Sequence, residues 1–107
     1  MVHVRLGVYR FQPRSIDTVI NRGQAELLPL FRGQPGFVAY EVVRTGADTG
    51  VSISHWMSSA DAERANATAQ TWLRDNFAPL LVSADSHIGE VVFSSRSDAA
   101  VVGGIDR

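Results

Sequence analysis

Val51-Ser52-Ile53-Ser54-His55-Trp56-Met57-Ser58-Ser59 is the stretch on which the fold turns. Val51, Ile53, His55 and Met57 alternate with Ser52, Ser54 and Trp56, the period of two that a β-strand imposes on its side chains. The closing Ser58 and Ser59 can cap a helix, and Asp61 and Glu63 suit its first turn, where the helix dipole favours negative charge. Beyond the cap, Ala62, Ala65, Ala69, Trp72, Leu73, Phe77 and Leu80 recur at three- and four-residue steps, so this helix buries one face. Pro79 is expected to end or kink it.

Working outward, Thr45 to Gly50 reads as a hairpin loop, and Phe37 to Arg44 as a second strand rich in β-branched and aromatic residues. Gln34-Pro35-Gly36 stops an earlier helix that runs from an N-cap at Ser15 to about Gln34. Its stripe is Ile16, Val19, Ile20, Gly23, Leu27, Leu30 and Phe31, and Pro29 predicts a kink or a restart within it. Val2 to Phe11 is the first strand, with Val2, Val4, Leu6 and Val8 on one face and His3, Arg5, Gly7, Tyr9 and Phe11 on the other. His87 to Ser95 is expected to be the fourth. The order strand, helix, strand, strand, helix, strand is the split βαβ arrangement, which predicts an α+β, ferredoxin-like domain over residues 1–96: a four-stranded antiparallel sheet with two helices on one face. Residues 97–107 lack periodicity and are expected to form a flexible C-terminal tail or to lie on a partner subunit.

Composition narrows the function classes. The chain has 107 residues and a formal net charge of −1 with both signs interspersed, so no basic stripe points to nucleic acid. It has no cysteine, which removes disulfides and thiolate chemistry and fits a reducing cytoplasm. The opening residues already read as a strand, so no signal peptide is expected, and no apolar run approaches the roughly 20 residues of a membrane helix. Metal-ligand spacing is missing from His3, His55 and His87, and no glycine-rich strand-to-helix turn cradles a nucleotide, so no cofactor is expected.

The sheet itself argues for a partner. Two helices cover one face of a four-stranded sheet, yet neither face is cleanly polar here: Val4, Leu6 and Val8 oppose Tyr9 and Phe11, and Val51, Ile53 and Met57 oppose Trp56. A twofold homodimer, sheet on sheet, covers the second face; the alternative is a monomer with partly exposed strands. Periodicity yields two faces without naming the inner one. The apolar set alone suggests that Val4, Leu6 and Val8 lie under the helices.

Three stretches carry a resemblance: Gly36-Phe37-Val38-Ala39-Tyr40-Glu41, the strand Val51 to Ser59, and Gly89-Glu90-Val91-Val92. With them, the span from Val2 to about Ser95 resembles the antibiotic biosynthesis monooxygenase-like family. The resemblance implies a dimeric α+β barrel with a pocket between sheet and helices in each subunit. It implies cofactor-free oxidation of a flat phenolic or quinol-type molecule, and it turns the odd face of the first strand under the helices. The family's pocket tryptophan falls on Trp56, and its helix arginine on Arg74 across a short gap. Its asparagine and tyrosine positions hold Ser52 and Ala62. A haem-degrading branch would need a histidine on the second helix, which has none.

The candidate catalytic residues are therefore Trp56, Arg74 and Ser52. Arg5, Gly7, Tyr9, Trp72 and Phe77 form the candidate substrate-binding set. Each has an ordinary alternative. Trp56 can be a core residue instead of a ring that stacks on substrate. Arg74 can be a solvated surface residue instead of an anion stabiliser, and Arg5 can pair with Glu41 or Glu90. A non-catalytic binding protein for a small aromatic molecule, an isomerase or cyclase, and a haem protein stand as rival functions.

Overall fold

The computed structural model describes residues 2–95. β1 (His3–Phe11) leads through α1 (Ile16–Arg22), a π-helical turn (Gly23–Leu27) and α2 (Leu28–Arg32) to β2 (Phe37–Arg44). β3 (Thr49–Trp56), α3 (Ser59–Phe77), a 3-10 turn (Ala78–Leu80) and β4 (Leu81–Glu90) complete it. The sheet order is β2-β3-β1-β4 with every pairing antiparallel, which is the ferredoxin-like topology. β3 lies between β1 and β2, so the helical connection from β1 to β2 spans one strand, as a split βαβ unit requires. The 97–107 tail lies outside the described residues.

The expected first helix is broken where Pro29 falls. A proline has no N–H, and its ring crowds the carbonyl four residues back, at Ala25. The chain widens by one residue just before it: the Leu28 N–H reaches back five residues to the Gly23 carbonyl, a π turn, and α2 restarts with Pro29 in its first turn. Ser15 takes the N-cap position, but its side chain makes no capping bond. Ser58 does cap, its hydroxyl accepting from the Asp61 N–H at 3.1 Å. Leu30, expected in the buried stripe, is 49% exposed, because the π turn rotates the last stretch relative to the first.

The fourth strand corrects the sequence reading. It starts at Leu81 and ends at Glu90, not at His87 to Ser95. Its polar stretch Ser83-Ala84-Asp85-Ser86 suits an edge strand, which needs no apolar alternation because much of it faces water. Val92 and Phe93, expected inside the strand, extend past its end and are largely exposed.

The inner face also differs from what the apolar pattern alone suggests. Arg5, Gly7 and Phe11 of β1 and Ser52, Ser54 and Trp56 of β3 are buried under the helices. Val4, Leu6, Val51 and Ile53 lie on the uncovered face. There Val8 and Val43 are each over 40% exposed. Packing explains how a polar strand face can be the inner one. α3 presents small residues to the sheet, Ala62, Ala65 and Ala69, all fully buried. Small residues on the helix leave volume for long side chains standing on the strand beneath.

Candidate functional site

Arg5 stands at the centre of β1 with 1% of its surface exposed. Its Nε donates to Asn66 Oδ1 on α3 at 2.9 Å. Nη1 donates to Ser52 Oγ on β3 at 2.9 Å, and Nη2 to the Tyr9 hydroxyl at 2.7 Å. All three acceptors are neutral. Among the described residues no ion pair joins it to an Asp or Glu, and Glu41, in register with Ile53, stands on the uncovered face, away from it. A guanidinium is cationic at any pH the protein meets, so a positive charge sits under the helices with no ion-pair partner among the described residues.

Gly7 makes this arrangement possible. It lies between Arg5 and Tyr9 on the same strand face, opposite Ser52 in register. A Cβ built there would stand 2.5 Å from Tyr9 Cζ and closer still to the hydroxyl. The missing side chain lets the Tyr9 ring fold back along the strand until its oxygen meets Arg5.

Arg5 and Tyr9 open onto a cleft of about 240 Å³. α3 contributes Gln70, Leu73 and Arg74, and the start of β4 contributes Leu81, Ala84, Asp85 and Ser86. On the other side of Tyr9 and Leu73, which line both spaces, lies an apolar slot of about 50 Å³ under α1. Ser52, Tyr40 and Trp72 line that slot. Burial pushes the Tyr40 hydroxyl up to about 12; the Tyr9 hydroxyl adds to the shift and the Arg5 charge opposes it.

The sequence candidates therefore divide. Arg5, Gly7, Tyr9, Ser52 and Arg74 come together at or beside the cleft. Arg74 is largely exposed, held loosely by Asp75 at 3.6 Å and Thr71 at 3.5 Å. Trp56 is placed elsewhere: it is fully enclosed, edge-on to Phe31 and Phe37 with centroids 5.3 and 5.5 Å away, and its Nε1 donates to Ser54 Oγ at 2.9 Å. Trp72 faces the inner slot, its Nε1 donating to Glu26 Oε1 at 3.0 Å. Phe77 packs edge-on against Trp72, with the Arg22 guanidinium 4.8 Å from its ring centre, and lines neither space. Hydrogen bonds from Arg22 and then Trp72 hold the Glu26 carboxyl below the ordinary carboxylate range.

Asn66 and Gln70 were not singled out as site residues. A signal for them existed: Asn66, Gln70 and Arg74 recur every four residues, a polar row beside the alanine stripe of α3. Among the described residues no group of three His, Cys, Asp or Glu side chains is placed to hold a metal ion.

Solved structures share this architecture. SnoaB, a cofactor-independent oxygenase from Streptomyces nogalater, superposes with a TM-score of 0.64 over 88% of this chain and 96% of its own, at 18% identity. The chain has the fold of antibiotic biosynthesis monooxygenase-like proteins. A Nitrosomonas europaea protein provisionally assigned as such a monooxygenase gives 0.71 over 86% of this chain and 91% of its own, at 14% identity. An uncharacterized NIPSNAP-like domain protein from Burkholderia xenovorans gives 0.62 over 89% and 90%, at 21% identity. No protein-family model and no curated protein matches the sequence. At these identities the likeness is one of fold.

Proposed function

We propose that the protein is a cofactor-independent monooxygenase that oxidises a small phenol in the Arg5–Tyr9–Arg74 cleft, working as a homodimer joined through the uncovered sheet faces. One observation carries the reading: a buried cation with no ion-pair partner among the described residues lies beside a cleft whose lining includes Leu73, Ala78, Leu81 and Ala84. Positive potential at the buried, Arg5 end of the cleft favours ionisation of a bound phenol. The phenolate is the electron-rich form that reacts with oxygen, and Arg74 at the rim is placed to stabilise the negative charge that passes to the oxygen. Atoms and electrons close without a cofactor: phenol plus O2 gives quinone plus water, one oxygen atom entering the ring and the substrate supplying all four electrons. Ser52 acts by holding Arg5. Trp56, from its enclosed position, supports β3 instead of stacking on substrate.

The test is oxygen uptake by the metal-stripped protein with one- and two-ring phenols under labelled O2. One labelled atom in the quinone and one in water is expected. Uptake no faster than that of an Arg5→Met, Arg74→Ala variant rejects the reading. One feature favours a non-catalytic binding protein instead. The residues lining the cleft include a single carboxylate, Asp85, and no histidine that could take the phenol proton. Ligand-induced thermal stabilisation without oxygen uptake is its signature.

A further inference from the structure

A guanidinium has five N–H donors, and Arg5 spends three of them, on Asn66, Ser52 and Tyr9. Among the described residues one N–H on Nη1 and one on Nη2 have no acceptor, and donors on both Nη atoms can receive a carboxylate. A neutral phenol must shed its proton before it can balance the Arg5 charge, whereas a carboxylate arrives ionised. The cleft has a second cation, Arg74, whose ties to Asp75 and Thr71 are long and solvent-exposed. Its volume of about 240 Å³ falls below the roughly 300–1,000 Å³ usual for drug-sized ligands. The space suits one or two rings. Leu73, Ala78, Leu81 and Ala84 supply the apolar part of the lining, and Gln70, Asp85 and Ser86 the polar part.

We propose that the cleft recognises a small aryl carboxylate, its carboxylate received by Arg5 and its ring seated on Leu73, Leu81 and Ala84 below Arg74. This deepens the cleft's assignment as the ligand site; the oxygenase reading, if it holds, then acts on a hydroxyaryl acid. Labour divides between the arginines: Arg5 anchors the acid, and Arg74 faces the phenolic end, where charge develops. Tyr9, held over Gly7, sets the depth to which the acid enters.

The experiment is calorimetric titration of the full chain with 2-naphthoate and with its neutral isostere, naphthalene-2-carboxamide. The acid is expected to bind at least about tenfold more tightly, the size of one charge-assisted hydrogen bond. Arg5→Met abolishes the preference. Arg5→Lys, which keeps the charge and loses the fork, retains part of it. Should Arg5→Met fail to fold, Ser52→Ala, which loosens the hold on Nη1, narrows the preference for the acid over the amide. Equal binding of acid and amide overturns the proposal, as does no binding of the acid at millimolar concentration. Competition by phosphate or chloride as effective as that by benzoate overturns it too, since it would mark a site for any anion. Oxygen uptake with 2-naphthol and with hydroxynaphthoates separates the two claims. Turnover of the neutral phenol without acid preference sinks this inference alone; acid preference without turnover sinks the oxygenase reading alone.

Discussion

The contact between Gly7 and Tyr9 gives a prediction whose size follows from the structure. Gly7→Ala places a methyl group inside the Tyr9 hydroxyl and ring edge, so the ring must swing off the strand. The Tyr9 acceptor then leaves Arg5 Nη2, and a hydrogen bond to a charged group, worth about 1.5–3 kcal/mol, is lost. Against this, alanine is favoured over glycine within a strand by about 0.5–1 kcal/mol. The net is a destabilisation of about 1–2 kcal/mol. In a Tyr9→Ala background the clash and the hydrogen bond are both already gone, so the same Gly7→Ala change stabilises by about 0.5–1 kcal/mol. The four proteins form a double-mutant cycle with a coupling energy of about 2 kcal/mol. Urea midpoints at one fixed chain concentration, with unchanged m-values, measure it. An additive cycle, or a Gly7→Ala change that is neutral on the wild-type background, would refute the claim that Gly7 exists to seat Tyr9 against Arg5.

Three further outcomes are expected. The Tyr40 hydroxyl is raised from about 10 to about 12, so its burial supports the fold fully below pH 10 and is lost as pH rises through 12, a contribution of about 3 kcal/mol. Alkaline unfolding that Tyr40→Phe shifts upward confirms this, and a tyrosine absorbance titration complete by pH 10.5 contradicts it. Glu26 is held below its ordinary range by Arg22 and Trp72, so its contribution is present above about pH 4 and lost as pH falls through the lowered value; tryptophan emission changes there in the wild type and not in Glu26→Gln. Ile53→Glu sets a carboxylate on the uncovered face, across from Leu6 and Glu41 in register, and is expected to weaken the proposed sheet-on-sheet dimer by about 100-fold or more. Light scattering reads the mass, and a wild-type mass of one chain at micromolar concentration removes the homodimer.

The architecture was legible because its signals are local. Alternation across Val51 to Met57, the Ser58 cap and the alanine stripe need no knowledge of the partner elements. β4 was misread because an edge strand is under little pressure to alternate, while the apolar run Val91-Val92-Phe93 imitates a strand just beyond its end. The inner face was illegible from pattern alone, since hydrophobicity marks a face as sheltered without saying by what. Arg5 and Tyr9, four apart on a strand, share a face on any reading. That Ser52 and Asn66 join them depends on the β1–β3 register and on the pitch of α3 over the sheet, both set by tertiary packing.

Stability alone does not account for Arg5. Moving a guanidinium out of water costs several kcal/mol, and three bonds to neutral acceptors return a similar amount, less the entropy of fixing Asn66, Ser52 and Tyr9, so its net contribution to the fold is small. A methionine in its place would fill similar volume with no such cost. Two features that weaken the fold on their own accompany it: a glycine in the middle of β1, and a helix face of alanines that buries little apolar area. Separately each is a small loss. Together they admit a long cation, seat Tyr9 against it and keep its remaining donors beside the cleft, so the local weakness of β1 and α3 is best understood as the cost of holding an anion-binding group where water is scarce.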